Sequence, residues 1–335
     1  MSQSSVGGSS NSCNNNNSFN TENCFNNTNS SFNNANNSFN ITNNTQKVNN
    51  FGTTDERDKI LKWISPLEPK IRHHDIRAHR VEHVGDWLLQ TDEYQDWFNG
   101  IHGGELNNSA LFLLWRSGGR QNLHQVRNYI LHEERVLLII RDSSSLVIDR
   151  LCDWAKGQNA TVACFYLDFA AQKEHSPTNI LSSLLKQVVG GLEKIPTDIV
   201  QEFRDQEKAI GGRRLGLGEI VGIFQNTLSS RPTFICIDAI DECLAEYRAT
   251  LLDSLRQILH KSPNTRIFLA GRLHIRDEVE KHLAGRVVAV SITPTRNDII
   301  RFLQAKLKED ITPDEMDKSL EEDITKTIPE TVSEM

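Results

Sequence analysis

The chain has 335 residues, enough for roughly two domains, and 38% hydrophobic with 24% charged residues is ordinary for a soluble globular protein. Its 37 basic and 44 acidic residues give a net charge of −7 without a basic stripe, which argues against nucleic acid as the main partner. No apolar run approaches about 18 residues, so neither a membrane span nor a signal peptide is predicted. The cysteines show no CxxC spacing and indicate a reduced, cytoplasmic protein.

Residues 1–53 are predicted to be a low-complexity tail, because 19 of the first 50 residues are Asn and such a composition cannot build a packed core. Phe19, Phe25, Phe32 and Phe39 nevertheless recur every six or seven residues. Two interpretations stay open. The tail is either disordered, or a cross-β segment with Asn ladders that supports self-association.

Three further regions follow from changes in composition and pattern. Residues 54–105 read as a helical region, residues 106–308 as an α/β core, and residues 309–335 as the start of a truncated helical region. No repeat period is visible before Met335, so we expect the chain to be a fragment of a longer protein.

Strands alternate with helices beyond residue 145, which predicts a doubly wound parallel sheet. One of the helices, TNILSSLLKQVVGGL, is predicted to be capped by Thr178. The predicted strands are Thr161–Phe169, Thr233–Ile237, Thr265–Gly271 and Arg286–Ile292.

Three carboxylates follow the buried strand at Thr233, namely Asp238, Asp241 and Glu242. Ligands of open α/β sheets bind at the carboxyl ends of the strands. Asp238 is therefore predicted to hold Mg²⁺ through its water shell, and Asp241 or Glu242 to orient an attacking water. Arg272 follows the next strand at the same edge, where its guanidinium could sense a phosphate. A buried strand with an acidic helix cap is the simpler alternative.

Four motifs carry a family resemblance, namely RVEHVGDWLLQTDEYQDWF, VACFYLDFAAQKEHSPTNILSSLLKQVV, FICIDAIDEC and RIFLAGRLHI. In these motifs the chain, from about Asp55 onward, resembles the NACHT-type P-loop NTPases of fungal NOD-like receptors with a nephrocystin-like N-terminal region. This resemblance implies a STAND-class signalling module that binds Mg²⁺ with ATP or GTP and switches between closed and oligomeric states. Its partners would be copies of itself or intact family members.

One departure bears directly on function. Members of this family carry a GxxxxGKT/S loop after the first strand, whose N–H groups and lysine bind the phosphates. Here residues 110–145 contain Gly118 and Gly119 but no Gly-Lys pair. We therefore expect nucleotide binding to be lost or weak, and the chain to be inactive. The alternative function is a non-enzymatic interaction or decoy module that joins oligomers of intact relatives.

The genetic code offers one explanation for this loss. Residues 111–122 can be encoded so that removal of one T yields LFCYGDPGVGKT, an intact P-loop, and the single codon of Trp115 forces its first glycine. Codons for Gln125 and Val126 can begin an intron, and a codon for Ser144 can end it. Either a one-base insertion with a retained intron or a genuinely divergent loop accounts for the sequence.

Two apolar runs compete for the first strand of the sheet, Leu111–Trp115 and Val136–Ile140. Strand-to-helix connections usually have about two to six residues, and RDSSS gives that length before the helix at Leu146. We therefore predict that Val136–Ile140 is a central strand beside the one at Thr233. Leu111–Asn128 would then be a poorly packed excursion, and RDSSS a weak anion site at a helix N-terminus.

Overall fold

The structure is a computed structural model that describes residues 54–100, 109–115, 126–208, 212–228 and 231–308. The chain divides into two units, residues 1–49 and 50–335, and all of the described residues belong to the second. The predictions for residues 1–53 and 309–335 fall outside the described residues.

The core is one parallel sheet of five strands in the order β2-β3-β4-β1-β5. The predicted doubly wound parallel sheet is thereby confirmed. The four predicted strands become β2, β3, β4 and β5, although β2 ends at Tyr166 and Phe169 begins a short 3₁₀ turn instead. The strands are β1 (Ala110–Trp115), β2 (Thr161–Tyr166), β3 (Thr233–Asp238), β4 (Thr265–Arg272) and β5 (Val287–Ser291).

Helices cover both faces of this sheet. Because neighbouring residues of a strand point to opposite faces, Phe112 and Leu114 of β1 pack with α1, α5, α7, α8 and α9, whereas Leu111, Leu113 and Trp115 pack with α3 and α4. The helices are α1 (Thr54–Ile64), α2 (Pro69–Ala78), α3 (Asp92–Asn99), α4 (Val126–Ala155), α5 (Pro177–Gly190), α6 (Thr197–Lys208), α7 (Leu217–Thr227), α8 (Ala245–Lys261), α9 (Arg276–Leu283) and α10 (Arg296–Lys308).

The predicted identity of the first strand is wrong. Residues 136–140 lie inside α4, and Leu111–Trp115 belong to β1, which pairs with β4 and β5 and is buried along its length. Residues 111–115 are therefore well packed and not an excursion. The helix begins at Val126, twenty residues upstream of the predicted start at Leu146. Ile140, Val147 and Leu151 share one of its buried faces.

The segment before β1 packs on the sheet from both sides. Ile60 and Ile64 of α1 join the core with α5, while Trp97 of α3, fully buried, contacts Phe234 edge-on at 5.5 Å between ring centroids. Thr91 caps α3 by accepting a hydrogen bond from Tyr94 N.

The predicted cap of α5 is wrong by two residues. Ser176 is the N-cap, and its hydroxyl accepts a hydrogen bond from Asn179 N, whereas Thr178 lies within the first turn. Pro177 follows the cap at the first helical position, where its missing N–H costs nothing.

Within the described ranges, no helix has both the length and the apolar character needed to cross a membrane.

Candidate functional site at the carboxyl edge of the sheet

The residues predicted to carry chemistry lie where β3 and β4 end. Asp238 is the last residue of β3, and Ala239 then adopts a left-handed conformation with φ of 55°. This conformation costs a non-glycine residue about 1 kcal/mol or more. It directs the chain into a 3₁₀ turn, Ile240–Glu242, which places the next two carboxylates at the same edge as Asp238. We refer to Asp238, Asp241 and Glu242 as the carboxylate edge.

Asp238 is buried, with 3% of its side chain exposed. Its Oδ2 lies 4.0 Å from Arg141 Nε on α4, and its Oδ1 makes no hydrogen bond. Ser144 of α4 also lies beside the carboxylate, but its hydroxyl lacks hydrogen-bond geometry. Burial raises the pKa of Asp238 from its ordinary 3.8 to about 6, and the positive charge of Arg141 opposes that rise.

Asp241 is held by Arg272, so the structure brings these two predicted residues together. Asp241 Oδ1 accepts a hydrogen bond from Arg272 N at 3.2 Å, and its Oδ2 lies 3.4 Å from Arg272 Nε. Gly271 permits this approach, since a Cβ atom there would lie 3.0 Å from Ile240 Cγ2 and 3.3 Å from Asp241 Oδ1. The side chain of Asp241 is only 2% exposed, whereas that of Arg272 is 36% exposed.

Glu242 connects the turn to the segment after β2. Its Oε2 accepts a hydrogen bond from Phe169 N at 2.9 Å, and its backbone oxygen accepts one from Gln172 Nε2 at 2.7 Å. Burial and then the nearby charge of Asp241 raise the pKa of Glu242. The carboxylate edge therefore concentrates negative charge where water has limited access.

Sequence reasoning missed Arg248, which stabilises the turn through hydrogen bonds to its backbone. The guanidinium of this buried residue of α8 donates to the backbone oxygens of Asp241 and Cys243, at 3.3 and 3.0 Å. It also forms an ion pair with Glu278 of α9 at 2.8 Å. An arginine in an amphipathic helix does not by itself predict such contacts, because its partners lie in a turn and in another helix.

A second missed cluster adjoins the site through Tyr166, whose position in β2 pairs with Asp238 in β3. The Tyr166 hydroxyl lies 2.7 Å from His73 Nδ1, and His73 Nε2 lies 3.2 Å from Asp149 Oδ1. Arg80 pairs with Asp149 at 2.7 Å. Burial opposes ionisation of Asp149, but its hydrogen bond to His73 and the charge of Arg80 lower its pKa overall.

The donor set at the carboxylate edge does not fit a divalent cation in this conformation. Asp238 Oδ1 is a buried oxygen without a partner, as a ligand oxygen would be, but the positive Arg141 faces the other oxygen. Among the described residues, no three His, Cys, Asp or Glu side chains are grouped to hold a metal ion. The functions assigned to Asp238, Asp241, Glu242 and Arg272 from sequence stay predictions.

The predicted anion site at RDSSS is wrong. Arg141 to Ser145 lie in the middle of α4, where their N–H groups are used within the helix. Residues 116–125, which follow β1 and include Gly118 and Gly119, lie outside the described residues. A groove of about 310 Å³ lies between α7 and α8, lined by Gly218, Gly222 and His260 among others, and it contains no residue of the carboxylate edge.

Comparison with known proteins adds a partial family match. A family model described as Nephrocystin 3, N-terminal, matches residues 143–272. That range contains β2, β3 and β4 together with Asp238, Asp241, Glu242 and Arg272. With the five-stranded parallel sheet and the carboxylates at its carboxyl edge, the match identifies a P-loop NTPase-like α/β domain. No curated protein matches the chain.

Solved structures show more distant likeness. Drosophila ORC bound to DNA has 14% identity and a TM-score of 0.36, and the match covers 75% of this chain and 55% of that one. Cdc6p from Pyrobaculum aerophilum has 11% identity and a TM-score of 0.38, with 74% and 53% covered. A Walker-type ATPase of Pyrococcus abyssi has 14% identity and a TM-score of 0.36, with 76% and 67% covered. The chain thus spans only about half the length of the first two.

Proposed function

We propose that the chain is a NACHT-type signalling NTPase module of a fungal NOD-like receptor, in the STAND class, whose own nucleotide binding is lost or weak. The observation that carries the proposal is the pairing at the carboxylate edge. Asp238 lies against Arg141, and Asp241 lies against Arg272. The carboxylates suited to Mg²⁺ and the guanidinium suited to phosphate therefore already have charge partners within the chain. The sequence also lacks a Gly-Lys pair after β1 to hold the phosphates.

In a relative with an intact loop, we propose that Mg²⁺ and ATP or GTP bind at this edge. There Asp238 would hold Mg²⁺ by its water shell, Asp241 or Glu242 would position water, and Arg272 would sense a phosphate. Their location at the carboxyl ends of β3 and β4 supports these functions.

The second candidate is a non-enzymatic interaction or decoy module that acts in the cytoplasm. It is favoured by the same internal pairing, because Asp238 and Asp241 both have charge partners within the chain. Its partners would be copies of the chain or intact relatives. Nucleic acid is not part of either proposal, because the net charge is −7. The DNA in the Drosophila complex belongs to that complex.

Calorimetry on the full chain tests the weak binding. We expect dissociation constants for Mg²⁺-ATP and Mg²⁺-GTP no tighter than millimolar, which corresponds to about 4 kcal/mol. The physical reason is the missing phosphate-binding lysine together with the internal partner of Asp238. A micromolar dissociation constant for either nucleotide would refute the proposal.

A loop replacement tests the origin of the defect. A variant in which CYGDPGVGKT replaces residues 113–143 should recover nucleotide affinity, and Asp238→Ala in that variant should weaken Mg²⁺-dependent binding. The matched control carries Ala in place of the new lysine and should bind nucleotide more weakly than the variant with the restored loop. If the restored loop binds no better than this control, the defect lies elsewhere. Genomic DNA across residues 110–145 then separates the candidates, since an alternative frame encoding GKT supports the NTPase module and its absence supports the decoy.

A further inference from the structure

Asp238 is a buried acid that lacks the partners such a group normally has. Its side chain is 3% exposed, and Oδ1 accepts no hydrogen bond. A buried carboxylate is costly unless an opposite charge or several donors compensate for the lost water. The compensation for Asp238 must therefore come from a nearby cation.

Arg141 is the cation in the right place. Its Nε lies 4.0 Å from Asp238 Oδ2, and no other Lys, Arg or His among the described residues approaches this carboxylate within that distance. Arg272, another cation at this edge, lies against Asp241 instead. A guanidinium stays protonated at any physiological pH, so the positive charge beside Asp238 is permanent.

The helix keeps Arg141 in position. Its neighbours in α4, Ile140 and Ser143, are buried, and the Ser143 hydroxyl donates to Ile139 O. Asp142 accepts a hydrogen bond from Val81 N, which joins the same helical turn to a distant segment. The Arg141 backbone therefore cannot move away from the sheet edge without breaking several buried contacts.

We propose that Arg141 is the built-in counter-ion of Asp238 and excludes divalent cations from this carboxylate. A doubly charged cation at Asp238 would lie close to a guanidinium that cannot lose its charge, and the two would repel one another. The inference deepens the proposed function, on which it rests only for the identity of the site. It makes Arg141 the residue that decides which cation Asp238 accepts.

The test compares Mn²⁺ binding, measured by electron paramagnetic resonance without nucleotide, in the full chain and three variants. Arg141→Ser should bind Mn²⁺ at least about tenfold more tightly than the natural chain, because about 1.4 kcal/mol of repulsion suffices for that factor. The gain should vanish in Arg141→Ser/Asp238→Asn. Arg276→Ser, which removes an exposed arginine paired with Glu280, should bind like the natural chain. Equal Mn²⁺ binding in the natural chain and Arg141→Ser would overturn the proposal, as would a gain that persists in the double variant.

Stability provides a second measurement if Arg141→Ser folds poorly. Removing only the cation leaves a buried charge, whereas replacing both partners does not. In EDTA, the double variant should therefore have a folding equilibrium constant at least about tenfold larger than Arg141→Ser has. If the double variant is no more stable than the single one, Arg141 does not neutralise Asp238. Micromolar nucleotide binding would refute the proposed function and leave this comparison unaffected, since no nucleotide is present.

Discussion

The backbone of the turn after β3 has a donor close to it in the sequence, whereas the buried carboxyl groups of α4 depend on distant segments. At the carboxylate edge, Arg248 binds carbonyl oxygens five and seven residues away. In α4, Asp142 accepts a hydrogen bond from a residue 61 positions away, and Asp149 contacts one 76 positions away. The turn after β3 therefore has a local partner besides the distant ones, since Asp241 and Glu242 also bind Arg272 and Phe169 N. The carboxyl groups of α4 depend on segments that meet the helix only after the chain has folded.

This difference shows why the two regions respond differently to mutation. Arg248 holds the backbone of the turn from a nearby position in the sequence, so its substitution should disturb the turn without rearranging the sheet. Among the buried polar residues of α4, Ser145 accepts a hydrogen bond from Arg80 and Asp142 accepts one from Val81 N, whereas Ser143 donates to Ile139 O of its own helix. Arg248→Ala and Asp142→Asn test this contrast, whereas Leu113→Asp and Ser176→Ala test the first strand and the helix cap that the structure assigns.

The largest effect is expected from Leu113→Asp in β1. Leu113 is fully buried between β4 and β5, and an unpaired charge there should lower the free energy of unfolding by more than about 4 kcal/mol. The matched control is Leu138→Asp in α4, because Leu138 is 43% exposed and should cost less than about 1 kcal/mol. Urea denaturation followed by circular dichroism measures both. If Leu138→Asp destabilised the protein more than Leu113→Asp does, the strand would lie at residues 136–140, as predicted from the sequence.

Arg248→Ala should be the next most damaging. It leaves two backbone oxygens of the turn and Glu278, whose side chain is 28% exposed, without their donor, and leaving buried acceptors without a donor costs about 1–3 kcal/mol. Arg276→Ala, which removes an exposed pair on α9, should change stability by less than about 0.5 kcal/mol. A similar loss in both variants would show that the turn does not depend on Arg248.

Asp142→Asn should stabilise the protein in a way that depends on pH. Burial raises the pKa of Asp142 from 3.8 to about 6, against the hydrogen bond from Val81 and the charges of Lys306, Arg80 and Arg141. The folded state thus holds a proton more tightly than the unfolded state, and stability falls as the pH rises from about 4 to 6. At pH 7.5 the free energy of unfolding of the Asn variant should exceed that of the natural chain by at most about 3 kcal/mol, because one pKa unit corresponds to about 1.4 kcal/mol.

The same variant should gain nothing at pH 3.5, where the carboxyl group is protonated in both states. Thermal unfolding at the two pH values measures the difference. A gain of equal size at both values would mean that packing, and not the charge of Asp142, limits stability in α4.

The smallest effect concerns the cap of α5. Ser176→Ala removes the acceptor for Asn179 N and should cost about 1 kcal/mol. Thr178→Ala, within the first turn, should cost less than about 0.5 kcal/mol. Equal losses, measured by urea denaturation, would contradict the cap assigned by the structure.

The sequence by itself determined the sheet from β2 to β5 and the positions of the carboxylates at its edge. Runs such as Thr233–Ile237 are short, apolar and β-branched, and they lie between amphipathic helices, so local pattern and tertiary role agree. Asp238, Asp241 and Arg272 follow strands that end at one edge, and parallel pairing brings such residues together.

Only the tertiary structure decided the first strand and the partners of the carboxylates. The run Val136–Ile140 is as apolar as Leu111–Trp115, and an isolated apolar run does not distinguish a strand from a buried helix. Leu111–Trp115 form the strand because they pair with β4 and β5. The helical spacing of the buried residues Ile140, Val147 and Leu151 was the feature of the sequence that indicated a helix for the other run. Arg141 reached Asp238 through that helix, across 97 residues of sequence, and a contact of that length is fixed by packing and not by local pattern.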